Sequence, residues 1–225
     1  MRRSRSIFPK PPARDRIRLS DAFMARVVPE ILRRTPGVSD RGDLLENYLQ
    51  VNRDLRQTNA EELVELAGSS TPGFLWTEPF LPFPNAQVMS SFADQRTYLY
   101  EGRPVDEQTH LGYDLAAVAQ APVPAANRGV VMLARYFGIY GNTVLIDHGM
   151  GLSSLYGHLS RIDVAEGDRV EKGGRLGLSG ETGLAGGDHL HFAILVGETY
   201  VDPLEWWDRE WVRTHIEVRL LRLAP

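Results

Sequence analysis

A chain of 225 residues, 43% hydrophobic and 24% charged, has the apolar content of an ordinary globular protein and the length for one core with added elements rather than two full-sized domains. Its 25 basic and 29 acidic residues leave a formal charge of −4, which excludes the basic footprint of a general nucleic-acid or anionic-membrane binder. No cysteine is present, so disulfides, thiolate metal sites and cysteine nucleophiles are excluded, and any metal must be held by imidazole and carboxylate.

The chain opens on Met1-Arg2-Arg3-Ser4-Arg5, a basic start like that of an export signal, but Ile7 to Pro12 brings prolines and a lysine where an apolar run belongs. No signal peptide is legible, and no run of about eighteen apolar residues predicts a membrane span. Residues 1–70 read as a helical extension. Ser20 caps a helix reaching Arg34 with a kink at Pro29, and Leu44, Tyr48, Val51 and Leu55 share one helical face ahead of a further run through Leu63 and Leu66. That stripe is too apolar for water, so the helices are expected to dock on the rest of the chain or on a partner. Residues 71–85, rich in proline, glycine and aromatics, read as a linker lying across a surface.

Residues 86–201 switch to short β segments: Val130 to Leu133, Thr143 to Asp147, Ser153 to Tyr156, Arg175 to Leu178 and His189 to Val196. The Gly149-Met150-Gly151 turn makes the second and third of these a hairpin. This spacing predicts a mainly β domain, an antiparallel sandwich or barrel. Residues 202–225 predict a C-terminal helix, with Asp202 as cap, Pro203 at the first position and Glu205 closing a capping box, and with Trp206, Trp207 and Trp211 packing back on the domain.

Five of the six histidines fall in the β-rich stretch, at 110, 148, 158, 189 and 191. A strand has a side-chain period of two, so His189 and His191 project from one face. His110 and Asp114 stand four apart, with Gly112 permitting a bend that brings their tips together. Two nitrogens and one oxygen form a triad of the kind that binds catalytic zinc and leaves the fourth position to water. Each cluster has a plain structural reading when taken alone; His148 and His215 are read as structural or solvated, and the combination of clusters in one β domain carries the functional one.

Five ordered motifs then resemble those of the lysostaphin/LytM-type metallopeptidases: HLGYDLAA (110–117), YGNTVLIDHG (140–149), LYGHLS (155–160), GDRVEKG (167–173) and TGLAGGDHLHF (182–192). The resemblance covers roughly residues 86–207. It implies the mainly β, antiparallel split-barrel or sandwich fold of the duplicated hybrid motif type, a Zn2+ cofactor held by His110, Asp114 and His191, and a catalytic pair of His158 and His189. The implied activity is zinc-dependent metalloendopeptidase cleavage of peptidoglycan cross-links between stem peptides, D,D-bonds in particular, by a zinc-activated water. Work on the cell wall implies a place in the periplasm or cell envelope, with an anchor or signal expected in a longer gene product. Three positions depart from the family pattern: Ala93 for glycine after Ser-x-Phe, Asp188 for proline before His-x-His, and Ala193 for an acidic residue after it. Should His158 prove structural, Tyr113 beside the candidate ligands is the next choice to face the oxyanion. The alternatives are a non-catalytic wall-binding or amidase-activating relative, which usually lacks ligands that this chain keeps, and a carrier domain, for which residues 164–174 resemble the turn but no modified lysine is evident.

Overall fold

The computed structural model describes residues 12–221, so the basic start at Met1 to Arg5 lies outside the described residues. Strand β1 (Arg14–Leu19) leads into α1 (Asp21–Arg34), then α2 (Leu44–Gln50), which passes through a π-helical turn at Val51–Leu55 into α3 (Arg56–Gly68). Ser20 caps α1 by accepting from the Phe23 amide, and Pro29 is accommodated inside the helix. After an irregular stretch come β2 (Gln87–Ser90), β3 (Gln95–Tyr100), β4 (Arg103–Thr109), β5 (Tyr113–Ala116), β6 (Pro122–Pro124) and β7 (Gly129–Tyr136). The hairpin follows as β8 (Asn142–Asp147) and β9 (Leu152–Leu159), then β10 (Arg161–Ile162), β11 (Arg169–Val170), β12 (Arg175–Leu178), β13 (Leu190–Val196) and β14 (Thr199–Val201).

The main sheet runs β11-β7-β8-β9-β13-β5-β2 with β14 also on β13, and every pairing in it is antiparallel. Two three-stranded sheets, β1-β3-β4 and β10-β12-β6, complete a mainly β architecture in which no described sheet closes into a barrel. Both faces of the main sheet are covered, and the period-two rule sorts its residues. Leu145, Leu155, Ala193 and Leu195 meet Met24, Ile31, Tyr48, Val51 and Leu63 of the helices. Their strand neighbours Val144, Ile146, Tyr156, Phe192 and Ile194 meet Trp76, Phe80, Val123, Leu176 and Trp206 on the other side. Double coverage is why these strands read as near-continuous apolar runs rather than alternating ones.

The structure differs from the sequence reading at three places. Residues 71–85 are no surface linker: Trp76, Phe80 and Phe83 are buried in the second cluster, and the Phe80 and Leu81 amides donate to the Trp206 and Ala126 carbonyls. Proline blocks regular strand pairing there, which gives the look of a loop, but does not prevent the aromatics from filling the core. The N-terminal segment is not wholly helical, since β1 pairs in parallel with β3. The C-terminal helix is broken, with α4 (Pro203–Trp207) ending at Asp208, whose side chain caps α5 (Arg209–Val212).

Candidate metal centre

The residues singled out from the sequence converge on the helix-covered face of the main sheet. β13 and β5 pair with His191 directly opposite Asp114, the register in which two side chains on one face come closest. His110 stands between β4 and β5, and Gly112 lets the chain that follows it lie against β13: a Cβ there would lie 2.5 Å from the Phe192 carbonyl oxygen and 2.9 Å from the His191 ring. Close approach, more than a bend, is what Gly112 supplies.

His110 Nε2, Asp114 Oδ1 and His191 Nδ1 form a triangle with edges of 3.0, 2.9 and 3.2 Å. Ligand bonds of 2.0–2.2 Å around a tetrahedral zinc put neighbouring ligand atoms roughly 3.3 Å apart, so this triangle is close to the face of such a site. The His110 tautomer agrees. The Ser91 carbonyl can only accept, so in a neutral ring His110 Nδ1 carries the proton, donating over 2.9 Å, and Nε2 turns a lone pair to the centre. His191 Nε2 is buried with no partner among the described residues. Three converging acceptors on buried side chains call for a cation.

The charge environment follows from burial. Burial works against ionising Asp114, but the neighbouring imidazoles of His110, His189 and His191 outweigh it and hold the carboxyl well below its usual range. Burial brings His191 down to about 4 in spite of Asp114, keeping it neutral near pH 7. His158 is held well below the ordinary imidazole value by burial and then by the neighbouring His189 and His191. Burial also works against charge on His189, but there the Asp114 carboxylate wins and the value rises.

His158 and His189 stand beside the triangle, their ring centroids 4.8 Å apart. His158 lies 5.9 Å from His191 by the same measure, and His189 Nε2 is 3.6 Å from Asp114 Oδ1. Each commits Nδ1 to a backbone carbonyl at 2.8 Å, His158 to Thr182 and His189 to Gly187, which leaves Nε2 for the cavity. His158 reaches this position through a distortion. The β8–β9 register slips between Asn142 and Val144, a bulge in β9 that sets Gly157 and His158 against the single residue Thr143, and His158 takes a φ of 63°. A left-handed non-glycine residue costs about 1–2 kcal/mol, and bulges beside functional sites commonly re-aim a side chain in this way.

Sequence reasoning missed Arg96 and Asp94. Arg96 on β3 donates to the second carboxylate oxygen of Asp114 at 2.5 Å, which fixes the rotation of that carboxylate. Asp94 is buried and accepts from the Ala13 and Ser91 amides and the Ser90 hydroxyl, anchoring the loop whose Ser91 carbonyl orients His110. The sign was the Ser-x-Phe pattern at 90–93, noted only for its departure. Ala93 holds a φ of 66°, which explains why glycine suits that position. The other departures also acquire reasons. Asp188, in place of proline, tethers the strand entry by accepting from Ser179 Oγ at 2.6 Å and the Gln120 amide at 2.9 Å. Ala193 is buried under the helices, where an acidic side chain would lack solvent.

The remaining candidates fall elsewhere. His148 is fully buried on the opposite face, bonded to the Arg128 carbonyl and Ser154 Oγ, and His215 is exposed against Trp211. Tyr113 packs on Trp207 across the sheet from the triangle, so it does not face the oxyanion.

Residues 108–203 match the profile of peptidase family M23. Peptidoglycan DD-endopeptidase ShyA of Vibrio cholerae is 38% identical over 112 residues, covering 49% of this chain and 25% of that protein. DD-carboxypeptidase/endopeptidase Mpg of Neisseria meningitidis is 40% identical over 95 residues, covering 42% of this chain and 22% of that one. The chain thus spans about a quarter of the length of these curated relatives. A Pseudomonas aeruginosa crystal structure assigned to peptidase M23 superposes with a TM-score of 0.52 at 29% identity, over 76% of this chain and 64% of that one.

Proposed function

We propose that this chain, whose residues 108–203 form a peptidase family M23 domain, is a zinc-dependent metalloendopeptidase that hydrolyses peptidoglycan cross-links outside the cytoplasm. The observation that supports it most is the convergence of His110 Nε2, Asp114 Oδ1 and His191 Nδ1 at near-tetrahedral spacing beside two further imidazoles. The donor set suits zinc, which when bound would lower the pKa of a water and polarise the scissile carbonyl.

The remaining work falls to the chain's own groups. Arg96 holds the Asp114 carboxylate in one rotation, and the Ser91 carbonyl holds His110 in one tautomer. His158 and His189, each tied through Nδ1 to a carbonyl, present Nε2 to the cavity. From there one ring accepts a proton from water and returns it to the departing amine, while the other, with both nitrogens protonated, donates to the oxygen on which negative charge gathers. Burial keeps bulk water from screening these interactions.

The bond we assign is the D,D-cross-link between stem peptides, in keeping with relatives named as DD-endopeptidases. Digestion of purified sacculi by the zinc-loaded chain, followed by identification of the released muropeptides, tests this. Loss of dimeric muropeptides cut at the D,D-bond, abolished by chelation and restored by zinc, is the expected result. Release of products cut elsewhere removes the bond assignment, and no release at all removes the peptidase reading. Among the described residues no helix is long and apolar enough to cross a membrane. Extracytoplasmic placement is checked by cell fractionation, and recovery in the cytosol with no longer precursor contradicts it.

A further inference from the structure

The cavity over the candidate metal centre is not walled by the M23 domain alone. Phe23, Tyr48 and Arg56, from the helices before Ser70, line the same cavity of about 220 Å³ as Asp114, His189 and His191. Arg56 is held in place by its own helix. Its Nε donates to the Asn52 carbonyl at 3.1 Å and its Nη2 to Asn52 Oδ1 at 2.7 Å, while Asn52, fully buried, donates from Nδ2 to Asp106 Oδ2 at 2.7 Å. Asp106 is already paired with Arg53 at 2.9 Å, and Arg56 forms no ion pair among the described residues. The guanidinium is therefore oriented, half-buried and uncompensated, with Nη1 left over. A second cation lines the cavity: Arg96, paired with Asp114, has a buried Nε with no partner.

Spare donors and positive charge around a cavity match a ligand group that only accepts and carries negative charge, and on a peptide that group is a carboxylate. Guanidinium is the side chain best suited to hold one. We propose that Arg56, contributed by the helical segment outside the M23 domain, binds a carboxylate of the peptide substrate and so selects which peptides reach the metal centre. This rests on the peptidase reading above. It also assigns the helices a task in recognition: they carry a substrate-binding cation to the rim of a site whose chemistry lies on the sheet.

The test uses the full chain loaded with zinc and three cross-linked stem-peptide dimers: the free acid, one with the C-terminal carboxylate amidated, and one with the side-chain carboxylate amidated. For wild type, amidating the recognised carboxylate should raise KM roughly tenfold to a hundredfold, the worth of a charge-assisted hydrogen bond, with a much smaller change in kcat. Whichever amide has this effect identifies the source of the carboxylate. Arg56→Gln should raise KM for the free acid by a similar factor and no longer distinguish it from that amide, and Arg56→Lys should recover part of the difference. Wild type treating all three dimers alike, or Arg56→Gln keeping the full preference for the free acid, overturns the proposal. Should thermal melting show Arg56→Gln to be unfolded, the wild-type amide series decides alone. Calorimetric titration of the same dimers separates this idea from the one beneath it: binding ordered by carboxylate without cleavage sinks the peptidase reading while upholding Arg56, and cleavage indifferent to carboxylates does the reverse.

Discussion

Two buried histidines on opposite faces of one sheet show what separates a site from a core. His148, under the aromatic cluster, has both ring nitrogens satisfied, one by the Arg128 carbonyl and one by Ser154 Oγ, each at 2.7 Å. His191, under the helices, shares Nδ1 with Asp114 and His110 and leaves Nε2 without a partner. Their burial is nearly equal, so burial does not distinguish them. What does is whether the hydrogen bonds close within the fold or leave lone pairs converging on a common point.

The opposite face should therefore respond to substitution in stability and the helix-covered face in chemistry. Trp206 packs against Trp76 and Phe80, with ring centroids 5.8 and 5.6 Å away. Trp206→Ala should cost roughly 3–5 kcal/mol in urea unfolding, while the molecules still folded keep their zinc. Loss of zinc at unchanged stability would erase the division between the faces.

His148 offers a sharper probe through pH. Burial lowers it from 6.5 to about 4, so the folded protein keeps it neutral while the unfolded chain protonates it near 6.5. Because the folded value is depressed, this contribution is fully present above pH 6.5 and is lost as pH falls toward 4, amounting to about 3 kcal/mol over that window. Urea midpoints measured from pH 7 to 4 should decline less steeply in His148→Gln than in wild type. Equal slopes would mean that His148 is not the closed, desolvated residue described.

The smallest effect concerns the loop that orients His110. Ala93 sits at a φ of 66°, and Ala93→Gly should raise stability by roughly 1 kcal/mol. A loss of stability in thermal melting would show that this backbone is not under strain.

Local signals were legible in the sequence and long-range registers were not. The helical stripe at Tyr48, Val51 and Leu55, the Gly-Met-Gly hairpin and the shared face of His189 and His191 each arise from neighbours within a few residues, and each stands in the fold. Trp76, Phe80 and Phe83 went unread because proline hides a core segment that has no regular period. β1, with the sequence RDRIRL, offers only Ile17 and Leu19 as apolar residues and becomes a strand by pairing with β3, about eighty residues away. Arg96 is joined to Asp114 only through the meeting of two sheets, β3 belonging to one and β5 to the other, and the bulge that aims His158 depends on how β8 and β9 align. No local pattern records either.

The central claim is that His110, Asp114 and His191 hold the metal while His158 and His189 act beside it, and bound zinc measured with turnover across alanine variants at these positions tests it most directly. His110→Ala, Asp114→Ala and His191→Ala should lose zinc and activity together. His158→Ala and His189→Ala should keep their zinc while turnover of a cross-linked muropeptide falls by roughly a hundredfold or more. Zinc lost from His189→Ala but retained by His191→Ala, or full activity in His158→Ala, would contradict the account.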